Sequence, residues 1–174
     1  MRSWIPIAGL IGSITFAVAA FDSSRRQLSD AQWGQLLIAS HQASLAVAEQ
    51  GLAKAQSARI VSFAEVVVDD HKEWLRNTID VLGKNHIAPR DSEVSHEIVT
   101  TENAQVAALS MMDGGPADKA FIKIELANHE RFLKMIRENG FAQVKNSALR
   151  TYLAEAASEF QKHADEAKLI LGGL

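Results

Sequence analysis

Over four long stretches of this chain, apolar residues recur at alternating steps of three and four. That spacing keeps one face of an α-helix against a core. The last stretch reads Leu149, Leu153, Ala156, Phe160, His163, Ala167 and Ile170. The one before it reads Ile122, Leu126, His129, Leu133 and Ile136. The second reads Ile60, Ala64, Val67, His71, Trp74, Thr78 and Val81. The first is weaker: Leu37, His41, Ser44, Ala48, Leu52 and Ala55. Alternating β-branched runs are scarce, so the pattern predicts an all-α fold, a four-helix bundle.

Local signals place the helix ends. Ser29 or Asp30 caps a first helix running to about Gln56, and Ser57 precedes a second from Ala58 to about Lys84. Asn85 to Ser92, with Pro89, is a break, and Glu93 to Met112 reads as one shorter helix or two fragments. This is the expected helical connection between the second and third long helices. Asp113-Gly114-Gly115-Pro116 is a stop and turn, after which Asp118 caps a third long helix reaching Val144 despite Gly140. Asn146 caps the fourth, Ser147 to Leu171, which ends at Gly172-Gly173.

Each stripe carries one histidine near its middle. His41 lies 16 residues before Ser57 and His71 lies 14 after it. At 1.5 Å of rise per residue the two stand within about 3 Å of one level. His129 and His163 each lie 17 residues from Asn146. The four imidazoles are therefore expected in one layer of the core, whether the two hairpins dock directly or through a crossing connection. Glu125 and Glu159 stand four residues before His129 and His163, on the same helix faces. Asp70 adjoins His71 but points about 100° away from it. His86 and His96 lie off any long stripe and are expected in solvent.

Composition narrows the function. At 174 residues the chain is one domain with enough length for a core. A formal charge of −3 without a basic stripe argues against nucleic acid as a partner. Cysteine is absent, which removes disulfides, zinc fingers and thiol catalysis. No Gly-x-Ser-x-Gly elbow and no phosphate-binding glycine loop is present, so no catalytic residue is assigned. An enzyme is the less favoured reading, and self-association is left open.

The N-terminus suggests a compartment. Met1-Arg2 precedes an apolar run from Ile5 to Ala20, Ala17-Val18-Ala19 offers small residues at a cleavage position, and Phe21-Asp22-Ser23-Ser24 turns polar. The expected organisation is a cleaved secretory signal over 1–20, a polar linker over 21–28 and a bundle over 29–174. The mature protein would be periplasmic or secreted, touching a membrane only through the signal segment.

Three groups of residues carry a family resemblance. They are Val61 to His71, with Phe63-Ala64 and Asp70-His71; Asp118-Lys119-Ala120-Phe121 followed by His129; and Leu149 to Leu153 with His163-Ala164-Asp165-Glu166-Ala167. Together they resemble the DUF4142 family of secreted bacterial proteins, grouped with ferritin-like bundles, over most of residues 30–171. The resemblance implies a ferritin-like four-helix bundle in the cell envelope and no established activity. The chain departs from the family where a first-helix glutamate is usual, having Ser44 and Ala46, and where Leu-Pro is common, having Ala157-Ser158.

Two functions follow from the histidine layer. It is a structural polar layer in a non-enzymatic envelope or stress-related protein, with Glu125 and Glu159 satisfying the imidazoles. Alternatively, His41, His71, His129 and His163 with Glu125 and Glu159 hold a transition metal, such as zinc, copper or iron. The set lacks the Glu-x-x-His pairs of di-iron bundles, so a single ion is the expected occupant.

Overall fold

The computed structural model describes residues 27–174. The expected signal segment and most of the linker lie outside the described residues. Those described form α1 (Asp30–Lys54), α2 (Ala58–Lys84), α3 (Glu93–Ser110), α4 (Gly114–Met135), a π-helical turn (Ile136–Gly140), α5 (Phe141–Gln143) and α6 (Ser147–Leu171). No strand occurs among the described residues, and no helix among them is long and apolar enough to cross a membrane.

The caps follow the sequence signals in part. Ser29 accepts from Gln32 N–H, and Gln32 returns the bond to Ser29 N–H, closing a capping box on α1. Ser92 and Ser95 do the same for α3, and Asn146 accepts from Leu149 N–H at 2.9 Å on α6. Asp118 corrects the expectation. The helix it was to cap already begins at Gly114, behind Asp113. The Asp118 carboxylate instead accepts from Gln56 and Ser57 N–H, both at 3.1 Å, and so serves the start of α2. Ser57 makes no side-chain cap bond of its own. Gly114 carries φ +66°, a left-handed turn that glycine adopts without strain.

The third long helix does not stay α-helical to Val144. It widens into the π turn at Ile136–Gly140 before α5. Gly140 faces the Trp33 ring there, and a Cβ would stand 3.3 Å from it. A widened turn lets the helix pass the indole without breaking. The end of the expected linker is not free: Leu28 is buried, and its N–H donates to Gln143 Oε1 at 2.8 Å. Trp33 Nε1 donates to the same oxygen at 3.2 Å.

The long helices pack as α1 on α2, α2 on α6, α6 on α4 and α4 on α1. One apolar cluster holds Trp33, Leu36, Leu82, Ile136 and Leu149. The other holds Val47, Ile60, Phe121 and Ile170. α1 and α6 therefore run from the first cluster to the second, and α2 and α4 run back, so each packed pair is antiparallel. α2 ends where α4 cannot begin. α3 spans that length as a single crossing connection, with Val94 in the first cluster and Leu109 in the second. It packs along α1, and paired amide bonds between Gln105 and Asn128 at 3.1 and 2.8 Å tie it to α4. α1 thus touches α2, α3 and α4, which explains its blurred stripe: it is buried on more than one face.

Candidate metal centre

The four stripe histidines meet between the two apolar clusters. Ring centroids are 5.2 Å apart for His41 and His71, 5.3 Å for His71 and His129, and 5.2 Å for both His129–His163 and His71–His163. All four residues are buried. Phe160 closes one side of the layer, its ring 5.3 to 5.5 Å from His41, His71 and His129. Phe63 stands edge-on to His163 at 6.5 Å. Spacing along each helix sets the level, and antiparallel packing turns four equal levels into one plane.

Ring nitrogens form a continuous path. His41 Nδ1 lies 3.0 Å from His71 Nδ1. His129 Nε2 lies 3.2 Å from both His71 Nε2 and His163 Nδ1. His129 Nδ1 lies 2.8 Å from the Glu125 carbonyl. A carbonyl only accepts, so Nδ1 carries the proton of neutral His129, and its Nε2 presents a lone pair. His163 Nε2 faces Asp70 Oδ2 at 3.0 Å. Donation to that carboxylate leaves the His163 Nδ1 lone pair turned inward. His71 Nε2 is likewise bare when its Nδ1–H donates to His41. Each of His71, His129 and His163 offers a ring nitrogen within 4.8 Å of the other two, and His129 Nε2 is the one that meets His71 Nε2 and His163 Nδ1.

The surroundings hold the imidazoles neutral. Burial pushes His41 and His129 down to about 3, with His163 adding to the effect in both. Burial also holds His71 well below 6.5, with His41, His129 and His163 lowering it further. Conversely, burial raises Glu125 to about 8. The Glu125 Oε2 lies 3.3 Å from His129 Nδ1, but that proton is directed at the backbone carbonyl, and both carboxyl oxygens lack a hydrogen-bond partner. His41 Nε2 also has none.

The six expected residues do not form one set. His41 does not join the three converging nitrogens; it stands behind His71 as a hydrogen-bond partner. Glu125 lies behind His129, on the side away from the convergence point. Glu159 Oε1 lies 3.5 Å from His163 Nε2, also outside it, and its carboxylate holds Lys162 at 3.0 and 3.1 Å. Asp70 was set aside as pointing away from His71, yet it is the nearer carboxylate to His163. A turn of 100° from the His71 face aims Asp70 at α6, the next helix in the ring. Glu102 was missed altogether. It is buried on α3, where burial raises its carboxyl to about 9, opposed by Arg131 and reinforced by Glu125. A glutamate on an irregular stripe gives no signal of this, because its burial depends on α3 lying along α1. His86 and His96 are exposed, as expected.

No curated protein and no solved structure matches the chain, so the comparisons supply no activity. One family does match, over residues 17–170, spanning every element that carries the histidine layer. The chain belongs to the family described as a domain of unknown function, DUF4142.

Proposed function

We propose that this protein binds one divalent transition-metal ion, zinc, copper or iron, through His71 Nε2, His129 Nε2 and His163 Nδ1. One observation carries the reading: three ring nitrogens converge while their opposite nitrogens are engaged by His41, the Glu125 carbonyl and Asp70. Lone pairs turned at one another repel unless a proton or a cation lies among them. Neutral His71 can place a proton between itself and His129 by taking its Nε2–H tautomer, but His163 Nδ1 then still faces the bare His129 Nε2 at 3.2 Å, whereas a metal ion offers three bonds at once. Imidazole suits zinc, copper, iron and nickel.

Separations support the fit. A tetrahedral ion with bonds of 2.0–2.1 Å places its donors about 3.3 Å apart. Two of the three donor separations are 3.2 Å. Outer partners that orient each ligand are the usual companions of a metal-binding histidine. The orphaned Glu125 carboxyl beside His129 is placed to offset the ion's charge by giving up its proton when the ion binds.

The fold is in keeping with this reading. Antiparallel neighbours joined by one long crossing connection form the ferritin-like arrangement, whose members build metal sites in the bundle core. We assign the bundle to that group, with a single imidazole-dominated site in place of a carboxylate-bridged pair. The apolar run and small residues before Phe21 support export to the periplasm or outside the cell.

A structural polar layer is the competing reading, favoured by N···N separations of hydrogen-bond length, 3.0 to 3.2 Å. Thermal unfolding of untagged, metal-free protein with added zinc separates the two. At a hundredfold excess over Kd, a ligand of the folded state stabilises by about 2.7 kcal/mol, or about 5–10 °C in Tm for this size. The His129→Leu/His163→Leu protein should lose that response. A double variant that folds equally well, beside a native chain indifferent to zinc, copper and iron, selects the structural layer.

A further inference from the structure

A second cluster with metal-ligand spacing adjoins the first and shares one residue with it. Asp70, Glu159 and His163 each present a donor atom within 4.8 Å of the other two. Here the His163 donor is Nε2, 3.0 Å from Asp70 Oδ2 and 3.5 Å from Glu159 Oε1. The same imidazole thus faces the buried site through Nδ1 and this cluster through Nε2. A surface cleft of about 280 Å³ is lined by Asp70 and His163 together with Phe63, Val66, Arg59 and Lys162. His71 and His129 do not line it; His163 is the member of the buried triad that does.

We infer that Asp70, Glu159 and His163 form an outer site, reached from the cleft at Asp70 and His163, that captures a divalent transition-metal ion from solvent and passes it to the buried triad. The inference rests on the inner site proposed above. An ion cannot reach three buried nitrogens in one step, and the cleft leads to one of them. Two carboxylates replace part of the ion's hydration while His163 Nε2 supplies a lone pair. For that, the His163 proton must sit on Nδ1, where His129 Nε2 accepts it across 3.2 Å. When the ion moves inward, Nδ1 releases its proton to water along the ion's path and Nε2 takes one from water in the cleft, so the imidazole stays neutral and Asp70 again accepts from Nε2–H. The two tautomers of one neutral imidazole therefore serve the two positions in turn, and the chain holds one ion.

Lys162 holds the place of the cation. Its ammonium lies 3.0 Å from Glu159 Oε1, and its side chain is 69% exposed, so it can swing into solvent when an ion arrives. The outer site governs how fast the ion enters and leaves, whereas the inner donors govern how tightly it is held.

Stopped-flow uptake of cobalt(II), followed by the visible absorbance of the nitrogen-coordinated ion, tests this. Glu159→Gln is close to isosteric, removes one outer donor and leaves Asp70 on His163. It should slow association by about tenfold or more, the scale on which charge arrangement changes on-rates. Dissociation should slow in proportion, leaving the equilibrium affinity within about threefold, a change of under 1 kcal/mol. Lys162→Met, which removes the competing ammonium, should speed association. A Glu159→Gln protein that loads at the native rate with native affinity overturns the capture site and leaves the inner site standing. A native chain that takes up no cobalt or zinc at equilibrium overturns both.

Discussion

Asp70 on α2 reaches across to α6, where its Oδ2 lies 3.0 Å from His163 Nε2. This contact determines which nitrogen of His163 is bare. With Asp70 accepting from Nε2–H, Nδ1 joins His71 and His129. The residue next to one metal-type histidine in sequence thus orients another, 93 positions further along.

That relationship can be measured. Asp70→Asn keeps an acceptor for Nε2–H but removes the charge that strengthens His163 as a donor. Zinc affinity, read by competition with a chelator, should fall about 10- to 100-fold, the usual cost of losing an outer partner. Unchanged affinity would show that Asp70 does not tune the triad.

Metal-free protein should be most stable near pH 6.5. His41 and His129, lowered to about 3, and His71, lowered well below 6.5, stay unprotonated in the folded chain while the unfolded chain takes up protons near 6.5. Stability therefore falls with acidification below that point, by up to about 1.4 kcal/mol per pH unit for each histidine. Glu125 and Glu102, raised from 4.5 to about 8 and about 9, act in the opposite sense. The folded chain keeps protons that the unfolded chain loses, so stability also falls as pH rises from 4.5 toward 9. Between 4.5 and 6.5 the three histidines outweigh the two glutamates; above 6.5 only the glutamates act. Denaturant titrations from pH 4 to 9 in a chelator check this, and a curve still rising at pH 8 would contradict it.

Glu102→Gln isolates one part of that curve. The variant has no carboxyl to ionise, so the alkaline loss should shrink to about half, that of Glu125 alone. Stability near pH 4 should change by under about 1.5 kcal/mol, because there a carboxyl that is neutral in the folded chain and mostly neutral in the unfolded one is exchanged for a neutral amide of similar volume. An alkaline limb as steep as the native one would place the titration elsewhere.

Asp118→Ala should cost about 1–2 kcal/mol, the usual effect of removing a side-chain cap. The carboxylate accepts both backbone N–H groups at the α1–α2 turn from a helix distant in sequence. Loss should appear as faster amide exchange at Gln56 and Ser57. Unchanged protection there would remove Asp118 from the turn.

Two glycines should respond in opposite directions. A Cβ on Gly51 would come within 2.3 Å of the Phe121 ring, so Gly51→Ala should destabilise by about 1–3 kcal/mol through overpacking. Gly83 has nothing within 4 Å of such a Cβ, so Gly83→Ala should stabilise α2 by up to about 1 kcal/mol. Equal effects at the two positions would mean that α1 and α4 do not approach as closely as described.

Much of the histidine layer was legible because it rests on two short-range quantities, helical rise and distance from a turn. Ser57 and Asn146 mark the turns, and counting from them levels His41 with His71 and His129 with His163. The tautomers were not legible. They depend on partners from other helices, Asp70 for His163 and His41 for His71, and on the angle at which neighbouring helices meet. Asp70 looked misdirected on its own helix because the position of α6 is invisible in a single stripe. Glu102 gave no signal because nothing local shows that α3 lies along α1.

By itself, the amino-acid order determined the helices, nearly all of their ends, and the depth of each histidine, since period, caps and breakers act over a few residues. Tertiary structure decided which nitrogens converge, where His41 stands relative to them, and that α3 crosses the length of the bundle. It also moved Asp118 from the cap of its own helix to that of another, and docked Leu28 beside Trp33. Those outcomes depend on which faces meet between segments far apart in the chain, and side-chain spacing within one helix carries no information about its neighbours.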